Sequence, residues 1–94
     1  MITKIRSAAN ARRGYASAKY KNFSEALEKI MALAENKIIE ATLKRVRGAQ
    51  IQLDDTDENA ILMEILKDDL EEQGYEVEEI IKGVGGDIFM FWSW

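Results

Sequence analysis

The feature that most limits how this chain can fold is its last stretch, Ile88-Phe89-Met90-Phe91-Trp92-Ser93-Trp94, in which six of seven residues are apolar. In an extended strand successive side chains point to opposite faces. Ile88, Met90, Trp92 and Trp94 therefore take one face, and Phe89 and Phe91 take the other. A strand apolar on both faces needs cover on both. Two helices can cover one side of such a sheet. The second side needs a further helix or another chain. Aromatic side chains concentrate in the cores of protein interfaces, so Phe89, Phe91, Trp92 and Trp94 are the candidate contact residues.

The rest of the sequence supplies the cover. Residues 2–22 read as a thin, alanine-rich helix, with Thr3 as N-cap and Ile5, Ala8, Ala9, Arg12, Ala16 and Tyr20 at helical spacing. Gly14 marks a place where that helix can bend or end. "FSEALEKIMALAENKIIEATLKRVRG" is the strongest helix. Ser24 is its expected N-cap, with Phe23 as a staple before it and Gly48 as its terminating residue. Its core face is Leu27, Ile30, Met31, Ala34, Ile38 and Ala41, widened by Leu33, Ile39, Leu43 and Val46. "AQIQLDD" alternates as a half-buried strand. Asp55, Thr56 or Asp57 then caps a third helix, with Ile61, Leu62, Ile65, Leu66 and Leu70 inward and Gly74 at its end.

"YEVEEIIK", "GVGG" and "DIFMFWSW" form a β-hairpin around a glycine-rich loop. In its first strand Tyr75, Val77, Glu79 and Ile81 share one face, and Glu76, Glu78 and Ile80 the other. The order α-α-β-α-β-β predicts an α+β fold, a small antiparallel sheet packed on helices. At 94 residues the chain reads as one domain, a basic N-terminal helix over 1–22 followed by an α/β core over 23–94.

Charge is unevenly placed. Residues 1–22 carry six basic side chains and no acid, whereas residues 54–94 carry thirteen acids and two bases. Such asymmetry bears on partners and self-association. Arg6, Arg12, Arg13, Lys19 and Lys21, with Tyr15 and Tyr20 interleaved, have the ingredients of a nucleic-acid contact. They equally suit a basic helix that pairs with the acidic half of its own or a neighbouring chain, and charge balance favours that pairing. The acidic half also suits a solvated face or a mimic of nucleic-acid charge.

Catalytic chemistry finds little material. The chain has no histidine, cysteine or proline, which removes the commonest general base, thiolate ligands and disulfides. "KGVGGD" lacks the Gly-Lys-Ser/Thr of a phosphate loop and reads as a hairpin turn. Asp54, Asp55, Asp57 and Glu58 offer oxygen ligands without the spacing of a calcium loop, and helix capping accounts for them. No cofactor, metal or small-molecule substrate is expected, and no catalytic residue. The basic N-terminus lacks the apolar run of a signal peptide, and no stretch approaches membrane-spanning length. The expected setting is the cytoplasm.

Several motifs recur together: "LKRVRG" at a helix end, the strand "AQIQL", the junction within "LKDDLEEQGYEVEE", and the terminal "MFWSW". Residues 23–94, which carry them, resemble small phage-encoded accessory proteins of unknown role. The resemblance implies a viral accessory or virion-associated protein, placed in the host cytoplasm or the virion, and brings no catalytic residues with it. A winged helix-turn-helix also ends in a hairpin, but it places two helices between first strand and wing, where this chain has one. The acidic helix after Asp57 would repel phosphate. The expectation is therefore a non-catalytic interaction or assembly protein that binds itself or a partner protein, with nucleic-acid binding through the N-terminal helix as the alternative.

Overall fold

The computed structural model of the protein describes residues 8–94. The expected cap at Thr3, and Ile5 and Arg6 with it, lie outside the described residues. Three helices and four strands follow in the order α1 (Ala8–Lys19), α2 (Phe23–Leu43), β1 (Gly48–Asp54), α3 (Asp57–Glu72), β2 (Glu76–Val77), β3 (Ile81–Lys82) and β4 (Asp87–Ser93). This is the anticipated α+β order, with the first hairpin strand broken into β2 and β3.

The terminal strand is central. β4 pairs antiparallel with β1 along its length, from Gly48 opposite Ser93 to Asp54 opposite Asp87. Its other side pairs with β2 and β3. α2 and α3 pack on one face of this sheet, over Ile51, Ile88, Met90 and Trp92, which are buried together with Leu62, Met63, Ile65 and Leu66. α1 packs on α3 and α2. It runs through Gly14 as helix and contributes the fully buried Ala16; just past its end the half-buried Tyr20 stacks its ring on Phe23 at 6.4 Å.

A bulge splits the first hairpin strand. Val77 lies opposite Trp92, and the Glu78 N–H donates to the Phe91 carbonyl at 2.9 Å. Beyond it Ile81 lies opposite Phe89. The register has advanced by one, so Glu79 and Ile80 together span the position opposite Met90. An extra residue of this kind reverses the faces that follow it. Simple alternation put Ile81 with Tyr75 and Val77, and Ile80 with Glu76 and Glu78. Instead Ile80 joins Tyr75 and Val77 against the core, and Ile81 stands exposed.

The helix ends also depart from expectation. Asn22, in the left-handed region at φ 62°, precedes α2, and Ser24 lies inside the helix. Phe23 is itself a buried core residue. α2 stops at Leu43 with Arg45 left-handed at φ 60°. The Arg45 N–H donates to the Thr42 carbonyl at 3.0 Å, and the Val46 N–H to the Ala41 carbonyl at 2.8 Å. The end of α3 repeats this arrangement with Gly74 at φ 96°, where the Gly74 N–H reaches the Glu71 carbonyl and the Tyr75 N–H the Leu70 carbonyl, both at 3.0 Å. Glycine adopts this conformation freely and arginine does so at a cost. Gly48, expected to end α2, opens β1. Leu33, Ile39, Leu43 and Val46, expected to widen the core face of α2, are exposed. At the start of α3 the Thr56 hydroxyl accepts from the Asn59 N–H at 3.1 Å, and Asp57 and Glu58 fill the first turn. That is the capping arrangement a helix N-terminus favours.

Candidate functional site

Register fixes what the open face of the sheet displays. Opposite neighbours across a ladder share a face. Phe91 beside Gln50 and Phe89 beside Gln52 and Ile81 therefore occupy the face away from α2 and α3. Glu76, beside Ser93, marks its margin. Phe91 is 37 % exposed and Ile81 48 %. A shallow hollow of about 370 Å³ is lined by Val46, Gly48, Gln50, Glu78, Phe91 and Ser93, among others. Phe89 is less open because its ring lies over the hairpin loop: a Cβ on Gly83 would come within 2.7 Å of Phe89 Cε2. The open face thus carries the apolar Phe91, Phe89 and Ile81, with Val46 at the hollow beside Phe91 and the polar Gln50, Gln52, Glu76 and Glu78 next to them.

The four aromatic residues singled out by the sequence are thus not one surface. Trp92 is 2 % exposed and belongs to the core. It faces α2 and α3 with Ile88 and Met90, and its Nε1 has no hydrogen-bond partner among the described residues. Trp94 follows the strand at the end of the sheet. Its N–H donates to the Arg47 carbonyl at 3.1 Å, and its ring meets Tyr75 edge-on at 5.7 Å. It is 37 % exposed. Phe89 and Phe91 lie on the open face.

The basic residues of α1 are largely occupied. Arg12 pairs with Glu64 at 3.3 Å and also with Asp68. Arg13 donates to both carboxylate oxygens of Asp69 at 2.7 Å. These charge-assisted pairs fasten α1 onto α3. Lys19 donates to the Tyr15 hydroxyl at 3.2 Å and lies 5.5 and 5.4 Å from the Tyr15 and Tyr20 ring centres. The hydrogen bond to Tyr15 is the largest influence raising its pKa above the ordinary lysine value. Lys21 is exposed in the turn before α2, and Arg6 lies outside the described residues. Sequence reasoning anticipated a pairing with acids but not which ones. Glu64 and Asp68, four residues apart on one helix and hence on one face, were the readable signal.

The acidic cluster at 54–58 is engaged in building α3. The Asp54 carbonyl accepts from the Thr56 N–H and from Asn59 Nδ2, both at 2.9 Å, and Asp55 lies 3.9 Å from Lys82 Nζ. Among the described residues no group of three or more acidic, histidine or cysteine side chains is arranged to hold a metal. A groove of about 640 Å³ runs between α2 and α3. Met31, Ile38, Leu66 and Leu70 line it, with the Arg13–Asp69 pair at its margin. No described helix is long and apolar enough to cross a membrane.

Compared with known protein families, with curated proteins and with solved structures, the chain matches none.

Proposed function

We infer that the protein works without catalysis, by binding another protein or a second copy of itself through the open face of its sheet. One observation carries this reading. The central strand has its inner face sealed by α2 and α3, while Phe91 and Ile81 stand uncovered on the other side. Apolar and aromatic groups surrounded by polar ones are the usual composition of a protein interface, and neighbouring exposed apolar side chains are a common mark of one. A phage accessory or virion-associated role, which the sequence motifs of residues 23–94 suggest, is part of the same proposal.

The alternative, nucleic-acid binding through α1, draws less support from the same geometry. Arg12 and Arg13 are already neutralised by Glu64, Asp68 and Asp69, and phosphate would have to displace those carboxylates. The deciding experiment is the double variant Phe89→Ser/Phe91→Gln, with circular dichroism for the fold and light-scattering mass and pull-down for assembly. The reading predicts a folded protein that has lost its binding. Unchanged binding in that variant, or binding that disappears only in Arg12→Ala/Arg13→Ala, would refute it.

A further inference from the structure

We propose that the free edge of β1 is a self-pairing edge, at which a second copy of this chain adds its own β1 antiparallel and joins the two sheets into one. The proposal goes beyond the reading of the open face, because it concerns a different surface and names the occupant.

The hydrogen-bond phase of β1 identifies the groups on that edge. At one end the Trp94 N–H donates to the Arg47 carbonyl, and at the other the Asp55 N–H donates to the Gly86 carbonyl at 2.8 Å. In an antiparallel ladder, residues alternate between pointing their backbone groups at the partner strand and away from it. Arg47, Ala49, Ile51, Leu53 and Asp55 therefore face β4. The N–H and carbonyl groups of Gly48, Gln50 and Gln52, and the Asp54 N–H, point outward. Among the described residues no strand pairs with that side.

Proteins usually blunt such an edge with proline, an inward or mid-strand lysine, or a bulge. β1 has none of these. Its register with β4 is unbroken over all seven residues, and its sequence between the end charges is Gly-Ala-Gln-Ile-Gln-Leu.

Charge identifies the partner. Lys44, Arg45 and Arg47 precede the strand, and Asp54, Asp55 and Asp57 end or follow it. An edge basic at one end and acidic at the other is complementary to itself when reversed. With a two-fold axis through Ile51, Gln50 pairs with Gln52 of the second copy, and Gly48 with Asp54 of the second copy. All the outward residues then meet each other. In the same register Arg47 falls opposite Asp55 of the second copy, on the same face of the new sheet. The in-phase registers two residues to either side leave an outward group at one end of β1 without an outward partner in the other β1. Beside the edge, Leu53 shares an apolar hollow with Ala26, Leu33 and Lys29, which adds apolar surface next to the new ladder.

The test is light-scattering mass over a dilution series on five proteins, wild type and four variants, with circular dichroism as the control for folding. Wild type is expected at twice 10.7 kDa and to dissociate on dilution. Gln52→Pro deletes an outward N–H without touching the β4 ladder and is expected to be a folded monomer. Arg47→Glu places like charges opposite each other at two symmetric points and is expected to weaken the dimer by about tenfold or more at low salt. Arg47→Glu/Asp55→Lys restores the pairing and is expected to recover it. A wild-type protein that stays monomeric at every concentration overturns the proposal and leaves a foreign partner for the open face. A dimer that survives Gln52→Pro and is lost in Phe91→Gln also overturns it, and places the self-contact on the open face instead. Should Gln52→Pro not fold, the charge exchange decides: no recovery in the double variant counts against the edge.

Discussion

The two faces of β4 are built from the same kinds of residue and serve opposite ends. Ile88, Met90 and Trp92 point to α2 and α3 and are buried. Phe89 and Phe91, interleaved with them, point away, and Phe91 is as exposed as Trp94 beyond the strand. Hydrophobicity therefore does not separate what holds this fold together from what it presents. Position in the pleat does. A residue's partners follow from its parity along β4, and one inserted residue between β2 and β3 is enough to exchange the roles of Ile80 and Ile81.

The comparison is tested most severely at Trp92. Trp92→Ala removes the largest core side chain and should cost about 3–5 kcal/mol, a large fraction of the stability of so small a domain. Chemical denaturation measures it, and a loss below about 1 kcal/mol would mean that Trp92 is not core. Trp92→Phe should cost much less than Trp92→Ala, because it keeps an aromatic ring while removing a buried Nε1–H that has no partner.

The neighbouring pair on the bulge gives the next largest difference. Ile80→Gln should destabilise by about 2 kcal/mol, and Ile81→Gln by less than about 0.5 kcal/mol. Thermal denaturation of the two single variants separates them. The reverse order would place the bulge elsewhere. At the hairpin loop, Gly83→Ala should displace the Phe89 ring from its seat at a cost of about 1 kcal/mol, read as a lowered melting midpoint with increased exposure of the open face to dye. Opposite in sign is Arg45→Gly, expected to stabilise by about 0.5–1 kcal/mol by relieving the left-handed arginine. It leaves both faces of β4 untouched, so an effect on assembly in that variant would implicate the basic end of β1.

Much of this architecture was legible in the sequence, for identifiable reasons. Long periodic stretches announced α2 and α3, the cap at Thr56 announced the start of α3, and the apolar run announced β4 as a strand. What could not be read was decided by single residues. The bulge at Glu79 and Ile80 carries no glycine and no turn signal, because the strand before it obeys alternation until the extra residue arrives. Arg45 ends α2 without glycine, so Gly48 looked like the terminator. Leu33, Ile39, Leu43 and Val46 looked like core because a helix's periodicity does not reveal how wide a stripe its neighbours cover. Alternation separated Trp92 and Trp94 from Phe89 and Phe91, but it did not tell which of the two faces α2 and α3 would seal. The attachment of α1 was partly legible: basic and acidic halves implied pairing, and folding made it particular by setting Arg12 and Arg13 against one face of α3.

The central claim is that one face of β4 is sealed core and the other is an open face, the one proposed above as a contact. The most direct test is denaturant unfolding of Met90→Gln and Phe91→Gln side by side, two neighbours on one strand given the same side chain. The account predicts that Met90→Gln loses about 3 kcal/mol or more, since it buries an amide among apolar groups. Phe91→Gln should unfold with nearly the wild-type midpoint and slope. Equal losses in the two variants would mean that both faces are sealed core, and would contradict the account.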